Sequence, residues 1–238
     1  MHGSMMRNSH YQNLSIGANL NLSLGMLGIC GLGIFLAWFV TAMQLIPLPR
    51  NPVWSSVAGA SWQFLTTVIV LYWWAKKRLH LSLGELGITG KNLVRTIILG
   101  CMLYSIALIT FVSCRNDPFI AHHALRTADT KDALLLLFSM SITAAGTDLT
   151  TRGFILLGLA RYTPIYFAVI VQNALWYLGH ISEIAQLSGC MTIWGAVGLT
   201  LTLGILGDIV ALRTRNVLGL AIAHVLLNVA MMVFIRCQ

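Results

Sequence analysis

The feature that most constrains this chain is a succession of apolar runs, each about 20 residues long, with short polar clusters between them. A helix of about 20 apolar residues spans the roughly 30 Å of hydrocarbon in a bilayer. Only 9% of the residues are charged, against about 25% in a typical soluble domain, so the chain lacks the material for a water-facing shell. The runs are continuous rather than alternating, which argues against a membrane β-barrel. The sequence therefore predicts an all-α integral membrane protein.

The runs predict a bundle of about seven transmembrane helices. We predict a polar N-terminal tail at residues 1–21, followed by a single helical transmembrane domain at residues 22–238. The predicted helices cover residues 22–46, 54–75, 93–113, 133–160, 163–181, 190–212 and 217–235. Prolines mark two of the breaks, because proline cannot continue a helix. These are Pro47, Pro49 and Pro52 after the first run, and Pro164 between the fourth and fifth.

The longest polar stretch after the tail runs from Arg115 to Asp132 and contains His122 and His123. We interpret it as a solvated loop rather than a metal site. The five cysteines include no CxxC pair, and most lie in or beside apolar runs, where cysteine usually acts as a small apolar residue. We therefore predict no disulfide framework, no metal and no other cofactor. No A-x-A site follows the first run, so we do not expect a cleaved signal peptide.

The formal net charge of +8 comes from basic residues at the ends of the apolar runs, for example Lys76, Lys77 and Arg78. Such residues set topology and contact lipid headgroups, so we expect membrane lipid and not nucleic acid as a partner. If the loops alternate, the side of the N-terminus carries nine Lys and Arg residues and the other side carries five. The positive-inside rule then predicts a cytoplasmic N-terminus, in a multi-pass protein of a bacterial inner membrane.

Charged and polar groups occur inside four of the predicted helices, although each costs several kcal/mol in hydrocarbon and so indicates function. They are Thr147, Asp148, Thr150, Thr151 and Arg152 in the fourth, Trp176, His180 and the nearby Glu183 in the fifth, Asp208 in the sixth, and His224 and Asn228 in the seventh. The pairs Asp148–Arg152, Trp176–His180 and His224–Asn228 are spaced i, i+4, which places each pair on one helix face. We predict that the three faces meet at one interior site.

Three interpretations of these polar groups stay open. They could be interhelical glue, since buried polar side chains hydrogen-bond across membrane helices. They could line a proton route. They could also carry acid–base chemistry, in which a histidine near a carboxylate deprotonates water while a second histidine and an asparagine amide donate hydrogen bonds to an oxyanion.

Three motifs, in the fourth, fifth and seventh predicted helices, resemble those of the CPBP family, the CAAX proteases and bacteriocin-processing enzymes also called Abi proteins. The string from Thr147 to Gly153 is similar to the family's EExxxR motif, Trp176 to His180 is similar to FxxxH, and His224 to Asn228 matches HxxxN. The stretches LSLGELGI at 81–88 and GILGDIVALRTRNVLGLAIAH at 204–224 are also similar, so the resemblance covers about residues 80–235. It implies a helical intramembrane protease in which a glutamate and His180 activate water, while His224 and Asn228 hold the oxyanion.

One departure falls on the residue that matters most for catalysis. Where the family has its first glutamate, this chain has Thr147, and a threonine hydroxyl has no useful basicity near neutral pH. Asp148 matches the second glutamate, but it lies about 100° further round the helix, and Arg152 is its natural ion-pair partner. Glu183, three residues after His180, is the other carboxylate that could assist it.

The resemblance and the departure together give two functional hypotheses. In the first, the protein is a catalytically impaired protease-fold protein that binds or scaffolds another membrane protein. In the second, it is an active intramembrane endopeptidase that acts on a membrane-embedded peptide, with His180 and either Asp148 or Glu183 activating water. The predicted site residues are the same in both: Asp148, His180, His224 and Asn228, with Arg152 as partner of Asp148 and Thr147 in the place of the missing base.

Overall fold

The computed structural model describes residues 16–42, 51–114 and 126–237. Within these ranges the chain folds into helices that we number in chain order. They are α1 (Ile16–Ala42), α2 (Pro52–Arg78), α3 (Leu93–Ser113), α4 (Thr130–Leu157), α5 (Ile165–Gly179), α6 (Ile181–Leu187), α7 (Ile193–Thr214) and α8 (Leu218–Arg236). A short 3₁₀ turn, Leu83–Leu86, lies between α2 and α3.

The helices form an all-α membrane protein, as predicted. Five of them (α2, α3, α4, α7 and α8) are long and apolar enough to cross a bilayer. The apolar part of α1, Asn21–Phe35, and the 15-residue α5 are shorter, so the predicted number of seven spans is not confirmed. Large apolar side chains lie on the outside of the bundle, among them Trp194, which is 80% exposed, and Val94 and Met102. Lipid solvates such a surface and water does not.

Several predicted boundaries are wrong. α1 begins at Ile16, so the end of the predicted tail is helical, and α4 begins at Thr130, inside the predicted Arg115–Asp132 loop. The side chain of Asp129 starts α4 by accepting a hydrogen bond from the amide of Asp132. Residues 115–125 of that loop, including His122 and His123, lie outside the described residues, as do Pro47, Pro49 and most of the tail.

The prediction of no disulfide is also wrong. Cys114, directly after α3, is bonded to Cys190, in the turn between α6 and α7, across 76 residues of sequence. Sequence reasoning treated each cysteine by its local apolar surroundings, whereas a disulfide depends on two distant helix ends meeting in space.

α4 is the centre of the bundle. Every residue from Leu149 to Leu157 is buried, and this stretch is a π-helix, as is Leu65–Ile69 within α2. A π-helix shifts the hydrogen-bonding register and so presents backbone carbonyls to other partners. Tyr72 donates to the carbonyl of Leu149 at 2.9 Å, and Thr150 donates to the carbonyl of Thr67 at 2.7 Å. The two π-helical segments therefore hold α2 and α4 together and fix the rotation of the polar part of α4.

At the end of the bundle opposite the disulfide, the stretch 79–92 docks on the α7–α8 turn. The Gly87 carbonyl accepts from the amides of Val217 and Leu218, and Asn216 donates to two carbonyls, those of Thr89 and Lys91. Gly87 has a φ of +86°, and a Cβ there would come within 3 Å of Val217, so only glycine fits. This packing explains why the LSLGELGI stretch accompanies the motif-bearing helices.

Glu85 in the same stretch pairs with Arg161 at 2.9 Å. Partial burial acts to raise the pKa of the Glu85 carboxyl, but hydrogen bonds from the amide and hydroxyl of Ser82, together with Arg161, outweigh it and lower that pKa. The carboxylate is therefore ionised at neutral pH and closes a capping box at the start of the 3₁₀ turn.

Candidate functional site

The site is built around a buried ion pair on α4. Arg152 and Asp148, which their i, i+4 spacing places on one face, are both fully buried, and Arg152 Nη1 donates to Asp148 Oδ1. A charge in this position would be very costly without a partner. Arg152 also lies 4.1 Å from the ring centre of Trp176 on α5, a cation–π contact that covers one face of the guanidinium.

α7 supplies the rest of the surroundings of Arg152. The carbonyls of Leu203 and Gly204 lie 3.3 and 3.4 Å from Nη2, and Asp208 Oδ1 lies 3.4 Å from Nε. The guanidinium fits only because Gly207 has no side chain: a Cβ there would overlap it. Asp208, which the sequence singled out only as a buried charge, is therefore the second carboxylate next to Arg152. Its Oδ2 accepts a hydrogen bond of 2.7 Å from Asn173 on α5.

His224 on α8 is held on two sides. Its Nδ1 lies 3.0 Å from Asp148 Oδ2, and its ring stacks on Tyr104 of α3, with ring centres 4.5 Å apart. The Tyr104 hydroxyl in turn donates to Asp148, 3.0 Å from Oδ2. Since a carboxylate can only accept, Nδ1 of His224 carries a hydrogen and Nε2 is left for a ligand. Asn228 lies one turn further along α8 and is buried.

His180 stands at the junction of α5 and α6. Its Nδ1 lies 2.7 Å from the carbonyl of Trp176, one turn earlier, and its ring lies against the Trp176 indole with centres 4.1 Å apart. A carbonyl oxygen accepts only, so Nδ1 donates and Nε2 of a neutral His180 carries the lone pair. Trp176 also lies 6.3 Å from His224, ring centre to ring centre. Both imidazoles thus lie near one indole, and the three motif-bearing helices meet at one place.

Thr147, in the place of the missing base, and the candidate carboxylate Glu183 are both engaged elsewhere. Thr147 is half-buried and donates its hydroxyl to the Thr143 carbonyl at 2.9 Å. Glu183, in the first turn of α6, is partly exposed and accepts from the Ser182 hydroxyl at 2.8 Å. Among the described residues, neither Glu183 nor Asp148 makes a hydrogen bond to His180.

Two residues of the site had no part in the sequence prediction. Tyr104 binds both members of the ion pair and stacks on His224, and Asn173 binds Asp208. Both are polar residues within apolar runs, so the cost of burying them was the signal that could have found them. Over the described residues, no group of three or more His, Cys, Asp or Glu side chains is arranged to hold a metal ion.

The comparisons with known proteins agree with this arrangement. A helical membrane bundle with two histidines, an asparagine and an Asp–Arg pair gathered from α4, α5 and α8 is the arrangement that the resemblance to intramembrane proteases implies. Residues 129–230 match the family described as type II CAAX prenyl endopeptidase Rce1-like. This segment, under half of the chain, contains every predicted site residue, and the resemblance to the CAAX proteases is confirmed over it. No curated protein and no solved structure matches the chain.

Proposed function

We propose that this protein binds a peptide segment of another membrane protein at the His180–His224 site and is impaired as a protease. One observation carries the proposal. His180, the imidazole that the family resemblance assigns to water activation, is hydrogen-bonded to a backbone carbonyl, and Thr147 replaces the carboxylate that would complete it.

The remaining carboxylates do not replace the missing one. Asp148 already accepts from Arg152, Tyr104 and His224, so few of its lone pairs are left for a water molecule. Glu183 is hydrogen-bonded to its neighbour Ser182 near the end of the bundle. A positioned general base typically contributes about 10²–10⁴-fold in rate, and we expect wild-type hydrolysis to be lower by a factor in this range than in a protein with the carboxylate.

Other groups of the site support binding. Nδ1 of His224 is engaged with Asp148, so Nε2 of the same ring is left to hydrogen-bond a backbone amide of a peptide. The amide of Asn228 lies one turn away on the same helix. The indole of Trp176 and the phenol of Tyr104 give the site aromatic walls. A polar segment of an otherwise apolar peptide fits this combination of hydrogen-bonding groups and aromatic surfaces.

A second function, active endopeptidase, is favoured by the Asp148–His224 contact. A buried carboxylate that orients an imidazole is the arrangement by which a histidine acts as general base in many hydrolases. In this version His224 rather than His180 takes the proton from water, because the hydrogen bonds place Asp148 on His224.

The test uses the purified chain in proteoliposomes with a farnesylated peptide ending in a CAAX sequence, the ligand class that the name of the matched family suggests. The peptide carries a photo-crosslinker, and the release of its C-terminal residues is followed by mass spectrometry. We expect wild type to crosslink without release above empty vesicles, His180→Ala to crosslink equally, and Thr147→Glu to gain release. Leu178→Ala, a lipid-facing change on α5, is the matched control.

The other outcomes separate the two functions. Release by wild type that disappears in His180→Ala would mean an active protease with His180 as its base. Release that survives His180→Ala but disappears in His224→Ala would support the Asp148–His224 version. Absence of both crosslinking and release in all variants would contradict a prenylated peptide as the ligand class.

A further inference from the structure

We infer that the Cys114–Cys190 disulfide is an oxidative modification that fastens the His180 segment, and that its reduction opens the site. The inference rests on the proposed function, since it names a regulation of that same site. It depends, however, on an observation that the proposed function does not use.

The disulfide acts directly on the segment that follows His180. α6 begins at Ile181, immediately after His180, and Cys190 follows its last residue, Leu187, by three positions. Cys114 is the residue at which α3 ends. One covalent bond therefore joins the end of α3 to the short segment that begins with His180.

Few side chains of α6 are buried. It has seven residues, and only Ile184 and Leu187 among them are buried. These two side chains form a small cluster with Cys114 and Ala196, against which partly buried side chains such as Phe111 and Leu199 pack. Few buried apolar contacts mean a low free energy of local opening. α8, which carries His224, has the opposite character, since Leu220, Ala221, Ala223 and Leu227 around His224 all belong to the main core.

The position of the disulfide in the membrane fits this role. Both cysteines lie at the end of the bundle where the sequence places five Lys and Arg residues, against nine at the other. The positive-inside rule assigns the poorer end to the outside of the cytoplasm, and disulfides persist in oxidising compartments. Two unrelated arguments therefore place this end outside the cytoplasm.

The chemistry is reversible thiol–disulfide exchange. Oxidation removes two electrons and two protons from the two thiols and passes them to a protein disulfide of the compartment, which becomes a dithiol. Reduction runs the other way: a dithiol attacks the Cys114–Cys190 bond, two thiols form and the reductant leaves as a disulfide. The first state holds α6 covalently to the end of α3, and the second removes that covalent link.

The first experiment asks whether the bond forms in the membrane. Membranes are denatured in excess maleimide with and without prior dithiothreitol, and the labels per chain are counted by mass spectrometry. With Cys30, Cys101 and Cys237 free, three labels are expected without reduction, and all five cysteines should label after it. Five labels without reduction would overturn the inference.

The second experiment asks whether the bond closes the site. Hydrogen exchange of residues 181–187 and acylation of His180 by diethyl pyrocarbonate are measured in the intact protein, before and after dithiothreitol. Both should become faster by about tenfold on reduction, because local opening governs each rate. Acylation of His224 should change by less than about twofold, since α8 stays packed. The Cys114→Ser/Cys190→Ser variant should match the reduced protein, and Cys101→Ser/Cys237→Ser should match the oxidised one.

If acylation of His180 and hydrogen exchange of α6 have equal rates in the oxidised and reduced states, the inference that reduction opens the site is overturned. Because neither readout involves a peptide ligand, that result would leave the proposed function standing. Conversely, a peptide that fails to bind in either redox state would count against the proposed function while the opening of α6 is still observed. Reduction of the assembled wild type gives the answer even if the double serine variant does not fold.

Discussion

The two histidines of the site are held in opposite ways. His224 lies within a continuous membrane-spanning helix, and a carboxylate and a stacked tyrosine from two other helices hold its ring. His180 lies where one helix ends and a seven-residue helix begins, and its contacts are with its own preceding turn. One half of the site is therefore fixed by tertiary contacts, and the other half depends on a segment that a disulfide fastens.

This difference fits the binding function proposed above. A rigid His224 half provides a hydrogen-bonding group of fixed direction, which limits the entropy lost when a ligand binds. A His180 half that can move admits or releases that ligand. Catalysis would need both histidines held at the same time, with a carboxylate on the water, and the proposed binding function has neither requirement.

The largest loss of stability should come from Arg152→Leu, which removes the cation that holds Asp148 in the His224 half of the site. It leaves Asp148 and Asp208 buried without their shared cation, and removing one partner of a buried pair typically costs about 3–5 kcal/mol. We expect a large loss of membrane abundance and of thermal stability in detergent. Thr147→Ala, one turn earlier on α4, is the control and should stay near wild type. Equal abundance of the two variants would show that the ion pair does not stabilise the fold.

The comparison itself is tested by replacing each histidine with alanine. His224→Ala removes a hydrogen bond to a buried carboxylate, worth about 1.5–3 kcal/mol, together with the stacking on Tyr104. His180→Ala removes a neutral hydrogen bond within its own turn, worth about 0.5–1.5 kcal/mol. In the same detergent, His224→Ala should therefore have a lower melting temperature than His180→Ala. The reverse order would mean that α6 and His180 are the more firmly held half.

The last prediction concerns Gly207 of α7, where the missing side chain leaves room for the guanidinium of Arg152. In Gly207→Ala the new methyl group overlaps Arg152, and overpacking typically costs about 1–3 kcal/mol. Gly198→Ala is a matched control on the same helix, because a Cβ there meets nothing within 4 Å. We expect Gly207→Ala to lower the melting temperature and Gly198→Ala to leave it unchanged or raise it. If both variants have the same melting temperature, Arg152 is less tightly enclosed than the structure indicates.

Much of the fold followed from the sequence because it depends on local chemistry. A run of about 20 apolar residues must be helical in a bilayer, where every backbone amide needs an internal partner. The same locality explains why the i, i+4 stripes could be recognised: residues such as His224 and Asn228 share a helix face in any helix. Boundaries were less accurate, since α4 begins with Asp129 as its cap, inside a stretch that composition marks as polar.

The sequence did not predict which side chains of different helices contact each other. Asp148 accepts from Arg152 on its own helix, which spacing predicts, but also from Tyr104 and His224, which spacing along one helix cannot reveal. The depth and rotation of each helix decide such contacts, and here the π-helical segments of α2 and α4 set that rotation. For the same reason Asp208 was visible only as a buried charge, not as the second carboxylate next to Arg152.

The sequence by itself thus determined an all-α membrane protein with three polar stripes and a threonine in the place of a catalytic glutamate. Only the tertiary structure decided that His224 has a carboxylate while His180 has a backbone carbonyl, and that Cys114 meets Cys190. The physical reason is range: hydrophobicity and helical periodicity act within about 20 residues, whereas ion pairs and disulfides join atoms that packing brings together from distant parts of the chain.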